Sequence, residues 1–231
     1  MFSIAGSASI STMSQKQTGP TILFLQDGDR RWAEREGVTY REGYEKMTEK
    51  IGLLINTLAK HGINKLYLPS NSIANLSRPK EQVDAWFEAY LNLPKYVDVP
   101  LNIIFAGDID RIPSEFTERY ELLRASSDPD GFEFHFLLNW STLDEVARIS
   151  TKIAKDHGQV THELLLEYSD IPEPIDLVVR SGKRRRISSF MPLSGQYSEL
   201  YFLDILFPDL VESDVEAFLK DYASRERTFG K

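Results

Sequence analysis

Leu23-Phe24-Leu25-Gln26-Asp27-Gly28-Asp29-Arg30-Arg31-Trp32 joins an apolar, strand-like run to a carboxylate, a glycine and two arginines that open a helical pattern. A helix N-terminus presents unpaired backbone N–H groups and the positive end of its dipole, so it favours an anion. Gly28 lets the backbone approach such an anion closely, while Arg30 and Arg31 add positive charge. Asp27, at the strand end, is placed to hold Mg²⁺ against phosphate oxygens. Together these features read as a site for a diphosphate and a metal. The same letters also fit a plain turn followed by a solvated helix face.

A second stretch has the same design. Asp176-Leu177-Val178-Val179-Arg180-Ser181-Gly182-Lys183-Arg184-Arg185-Arg186-Ile187-Ser188 is again an apolar run leading into a glycine-containing loop, with five cations between Arg180 and Arg186. The chain as a whole carries a formal net charge of −8, which argues against a nucleic-acid binder, so the basic run reads as a local anion site.

Apolar runs recur at 22–25, 65–68, 101–106, 132–138, 175–179 and 200–206, with helical patterns between most of them. That alternation predicts an α/β fold, a mostly parallel central sheet flanked by helices. Tyr44 to Lys60 reads as a long helix after a turn flanked by Gly37 and Gly43, and Ser77-Arg78-Pro79 reads as the start of another. At 231 residues and 42% hydrophobic content, one domain over 19–231 is expected, preceded by a disordered Ser/Thr/Gly-rich tail over 1–18. With no cysteine the chain has neither disulfides nor a thiolate nucleophile, which suits the cytoplasm. The four histidines show no ligand spacing and read as surface or helix-end residues. No apolar run is long enough to span a bilayer, and neither a Gly-x-x-x-x-Gly-Lys-Ser/Thr loop nor a Gly-x-Gly-x-x-Gly turn is present.

From about residue 20 to the end, the order of motifs resembles the cis-prenyltransferases, the undecaprenyl diphosphate synthase family. It runs from Asp27-Gly28 with Arg31-Trp32, through Asn75 with Arg78-Pro79 and Arg180-Ser181-Gly182 with Arg186-Ile187-Ser188, to Ser198-Glu199-Leu200-Tyr201-Phe202 and Arg225-Glu226-Arg227. The resemblance implies coupling of an allylic diphosphate to a second isoprenoid diphosphate with Mg²⁺ as cofactor. It implies Asp27 and Glu199 at the metal, Gly28 and Arg31 at the turn that cradles the donor diphosphate, and Arg180, Arg186 and Ser188 at the acceptor, while Arg30 and Trp32, beside that turn, are read as substrate-binding with them. Arg78 joins the substrate-binding set, and a C-terminal segment, Arg225 to Gly230, would reach a neighbouring subunit in a homodimer.

The chain departs from the family pattern around the reacting centre. Asp29-Arg30 stands where Asn-Gly is usual, and Tyr40 and Tyr44 take the places of an arginine and a histidine, with Arg41 as a substitute. A glutamate is missing from Pro69 to Asn75, and Trp140-Ser141-Thr142 replaces a Gly-Gly-Arg loop. On the helix after Pro79, Val83, Trp86, Phe87, Tyr90 and Leu91 share one face. That face reads either as core or, with Leu68, as a hydrophobic pocket filling the tunnel that holds long products in the family. A rebuilt pocket with a filled tunnel is similar to a small branch, the lavandulyl and cyclolavandulyl diphosphate synthases, which join two dimethylallyl diphosphates head to middle. Asp29, Ser72 and Asn75 are then candidate proton carriers beside Asp27. The alternatives are a head-to-tail short-chain synthase using isopentenyl diphosphate and a non-catalytic partner subunit.

Overall fold

The computed structural model describes residues 19–228. The expected 1–18 tail and the last residues of the C-terminal segment lie outside them.

Six strands form one sheet: β1 (Ile22–Leu25), β2 (Lys65–Pro69), β3 (Leu101–Gly107), β4 (Phe132–Leu138), β5 (Leu177–Arg180) and β6 (Glu199–Phe202). Their order is β3-β4-β2-β1-β5-β6, and every pairing is parallel. Parallel strands require crossovers, and the helical segments α1 (Asp29–Glu36), α2 (Tyr40–Lys60), α3 (Lys80–Tyr90), α4 (Ser114–Ala125), α5 (Thr142–His157), α6 (His162–Glu167) and α7 (Glu212–Ser224) lie between or after them. β1 explains why the apolar runs are continuous. Ile22 and Phe24 enter one apolar cluster with residues of α2, α3 and α7, while Leu23 and Leu25 enter a second with Tyr67, Leu137 and Trp140. Both faces of the strand are therefore dry.

Three local expectations need correction. α2 begins at Tyr40 because Thr39 Oγ1 accepts from the Glu42 N–H at 3.2 Å and Glu42 Oε2 accepts from the Thr39 N–H at 2.8 Å. This capping box satisfies two end groups and draws Gly43, expected in a turn, into the helix. His135 is neither on the surface nor at a helix end. It lies within β4, stacked at 4.1 Å on Tyr67.

Candidate functional site

The register Leu25↔Arg180 sets the end of β1 beside the end of β5, and a cleft of about 550 Å³ opens there. Strand carboxyl ends are where ligands bind in open α/β sheets. Asp27, two residues beyond β1, is held from four directions. Its Oδ2 accepts from Arg180 Nη2 at 2.9 Å, its Oδ1 from Arg31 Nη2 at 3.1 Å, its N–H donates to Ser181 Oγ at 2.9 Å, and its carbonyl accepts from the Phe207 N–H at 3.0 Å. Gly28 then turns with φ +120°, and a Cβ there would stand 2.9 Å from Leu206 Cδ2. The turn delivers the first residues of α1, Asp29, Arg30 and Arg31, to the cleft.

Arg180 is 7% exposed and belongs to the frame of the site. Besides Asp27, its Nη1 donates to the Arg186 carbonyl at 2.7 Å and to Ser188 Oγ at 3.1 Å, which folds the loop after β5 back over the strand end. Arg186 itself is exposed and lines the mouth with Ser188 and Ser189. Lys183, Arg184 and Arg185 are exposed and do not line the cleft, so the basic run contributes one cation to its wall beyond Arg180.

The opposite wall is the segment after β2. Ser72 and Asn75 line the cleft, and the Ser72 N–H donates to Asn75 Oδ1 at 3.1 Å. Asn71 anchors this wall from below. Its Nδ2 donates to Asn139 Oδ1 at 2.7 Å and its Oδ1 accepts from the Asn139 N–H at 2.8 Å, both residues being buried. Arg78 and Tyr44 complete the wall. Burial raises the Tyr44 hydroxyl above its ordinary pKa. Asp29 is pushed up to about 7, by burial first and by the charge of Asp27 second. Its Oδ1 is enclosed without a hydrogen-bond partner, as is Arg180 Nε.

Trp86 closes the back of the cleft at 6% exposure. Behind it the rings continue: the Trp86 ring centroid lies 4.7 Å from that of Phe87 and 4.7 Å from that of Tyr90, which lies 4.4 Å from that of Phe136.

Several expected site residues stand elsewhere. Trp32 turns away on the next step of α1, and its Nε1 donates to Asp209 Oδ1 at 3.0 Å. Tyr40 donates its hydroxyl to Glu34 at 2.9 Å, and with Arg41 it lines a neighbouring depression against Pro79 and Gln82. Leu68, Phe87 and Tyr90 are packed core and do not line the cleft. Glu199 pairs in register with Leu177 at the start of β5, the end of the sheet remote from Asp27, and its Oε2 accepts from Arg225 Nη1 at 2.7 Å. Arg227 Nη1 likewise donates to Asp176 at 2.5 Å, so within one chain the described part of the C-terminal segment rests at that remote end. Gln26, Ser181 and Ser189 were missed. Gln26 and Ser181 each adjoin a residue that had been singled out, and Ser189 follows Ser188.

Among the described residues no three of His, Asp or Glu are clustered to hold a metal by themselves. Mg²⁺ commonly takes one or two protein carboxylates and completes its shell with substrate phosphates and water. Asp27, with a side chain 32% exposed at the turn into α1 and Asp29 Oδ1 unpartnered nearby, fits a metal shared in that way.

Residues 25–230 match a family model described as "Putative undecaprenyl diphosphate synthase". The chain belongs to the undecaprenyl diphosphate synthase family. Members of this family are prenyltransferases, and so is this chain. It is 30% identical over 227 residues to the ditrans,polycis-undecaprenyl-diphosphate synthase ((2E,6E)-farnesyl-diphosphate specific) of Escherichia coli K12, covering 90% of this chain and 88% of that one. It is 28% identical over 216 residues to an isoprenyl transferase of Campylobacter jejuni RM1221, covering 91% and 97%. The crystal structure of lavandulyl diphosphate synthase from Lavandula x intermedia, in complex with dimethylallyl diphosphate, superposes with a TM-score of 0.82 at 24% identity, covering 93% of this chain and 99% of that one. That likeness shows a shared fold. Within it, no helix among the described residues is long and apolar enough to cross a membrane.

Proposed function

We propose that this prenyltransferase is a short-chain synthase that joins two dimethylallyl diphosphates head to middle and releases a branched or cyclised C10 diphosphate. The observation that carries the reading is the closed back of the cleft. Trp86, Tyr90 and Phe136 stand ring against ring where a lengthening prenyl chain would have to pass. A cleft of about 550 Å³ suits two short prenyl diphosphates better than a long chain.

In this reading the N-terminus of α1 with Arg30 and Arg31 holds the donor diphosphate, and Arg186 and Ser188 hold the acceptor's. Asp27 would hold Mg²⁺, which when bound supplies charge neutralisation at the leaving diphosphate. The donor's C1–O bond breaks, and the acceptor's C2 gives its alkene electron pair to C1. The new C–C bond leaves a tertiary cation, which loses a methyl proton. Asp29, Ser72 and Asn75 line the cleft as side chains able to exchange that proton, and released diphosphate is another acceptor. Trp86 and the folded loop of Arg180 limit the entry of water. A single catalytic domain over 19–231, a homodimer and a cytoplasmic location belong to the same proposal.

The test is product analysis by mass spectrometry and NMR after dephosphorylation. Enzyme given dimethylallyl diphosphate and Mg²⁺ alone is expected to form the branched or cyclic C10 product. A linear product that requires isopentenyl diphosphate overturns head-to-middle coupling and supports the head-to-tail reading.

A further inference from the structure

Gln26, in the cleft wall, meets Tyr90 in the core beneath it. Gln26 follows directly on β1 and lines the cleft beside Asp27, and its Nε2 donates to the hydroxyl of Tyr90. Tyr90 is the last residue of α3 and is buried, with its hydroxyl also 3.7 Å from Met47 Sδ and its ring against Trp86 and Phe136. Gln26 Oε1 is enclosed without a partner.

An apolar side chain at 26 and a phenylalanine at 90 would fill the same volumes without burying an amide and a hydroxyl, whose burial costs free energy unless the atoms are paired. The hydrogen bond does something that bulk cannot. It fastens the aromatic wall on α3 to the strand end that carries Asp27. A donor whose diphosphate sits on α1 and whose tail exceeds one isoprene unit must pass Trp86 into the space Tyr90 occupies. Moving Tyr90 then breaks this bond and strands two polar groups in apolar surroundings.

We propose that the Gln26–Tyr90 hydrogen bond is a latch that sets the length of the allylic donor, making both residues specificity-determining. The proposal rests on the reading that the cleft binds prenyl diphosphates. It is tested by calorimetric binding of the thiolodiphosphate analogues of dimethylallyl and geranyl diphosphates, whose C1–S bond resists ionisation so that no turnover occurs, with Mg²⁺, to the wild type, Gln26→Met, Tyr90→Phe and the double variant. Both substitutions keep volume, and thermal unfolding checks the fold of each variant; should one fail to fold, the other single variant carries the test. The wild type is expected to prefer the shorter diphosphate. Each single variant should narrow that preference by about tenfold, the scale of one buried hydrogen bond, and the double variant should narrow it no further. Binding of both diphosphates with an unchanged preference in the variants overturns the latch alone, as do additive effects in the double variant. Failure of the wild type to bind either diphosphate overturns the proposed function and the latch with it.

Discussion

A Cβ at Gly182 would stand 2.6 Å from Cβ of Asp27, so the loop after β5 and the turn after β1 touch with no room for a side chain between them. Gly182 also has φ +88°, a conformation that disfavours any other residue. Gly182→Ala therefore pushes on the carboxylate directly. Turnover is expected to fall by about 10²-fold, the usual consequence of displacing a reacting group by ~1 Å, with a loss of stability exceeding ~1 kcal/mol. Steady-state kinetics beside urea unfolding measure the two effects separately.

Asp27→Asn keeps the shape of that carboxylate and removes its charge. Loss of metal-assisted stabilisation, worth several kcal/mol, should leave turnover close to background at any Mg²⁺ concentration while the protein stays folded. Near-normal activity in this variant would place the metal elsewhere.

Arg180, at the end of β5, and Arg186, in the loop after it, should behave differently from one another. Arg180 is buried and bonds Asp27, the Arg186 carbonyl and Ser188, so Arg180→Ala leaves a partly buried carboxylate short of a partner and should cost about 3 kcal/mol of stability together with turnover. Arg186 is exposed at the cleft mouth, and Arg186→Ala should raise KM with little change in kcat or Tm. Equal effects of the two on Tm would refute this division.

Trp86→Ala opens the back of the cleft. Removing a buried aromatic ring costs about 3–5 kcal/mol, so the variant is expected to be less stable and, supplied with isopentenyl diphosphate, to extend its products. Chromatography of dephosphorylated products decides the matter: unchanged products in a folded variant would make Trp86 a packing residue only.

His135 gives the stability a pH dependence remote from the cleft. Burial holds its pKa below 6.5, against the raising effect of Glu133 and Glu173, with Lys65 adding to the depression. Below 6.5 the unfolded chain takes up a proton that the folded chain refuses, so this contribution is whole above 6.5 and is lost as the pH falls toward the folded pKa. Urea unfolding at about pH 8 and about pH 5.5 should show a smaller drop for His135→Gln than for the wild type.

The strands were legible because a sheet buried on both faces writes its strands as unbroken apolar runs, as at Ile22 to Leu25. Asp27, Gly28, Asp29, Arg30, Arg31, Arg180, Arg186 and Ser188 were legible as cleft residues because strand ends and helix starts fix where they stand. Tyr40 and Trp32 were not, since a helix sends neighbouring side chains to different faces and the turn that decides which face meets the cleft depends on the Thr39–Glu42 cap and on Asp209. The place of Glu199 was not legible, because a motif records order along the chain, while register puts it, within one chain, at the opposite end of β6 from the cleft. Asn71 and Asn139 carry no local signal: their pairing joins positions 68 residues apart.

Asp27 and Arg180, partners in one ion pair, are 153 positions apart, and β1 lies in the sheet between β2 and β5. A nascent chain emerging from the ribosome therefore carries β1 with one edge unpaired until β5 has been synthesised. The cleft cannot be assembled by the N-terminal half of the molecule, and a translation product truncated before β5 would hold Asp27 without its arginine. Synthesis through β5 and the loop after it is thus a precondition for the site, imposed by the order in which the strands are made.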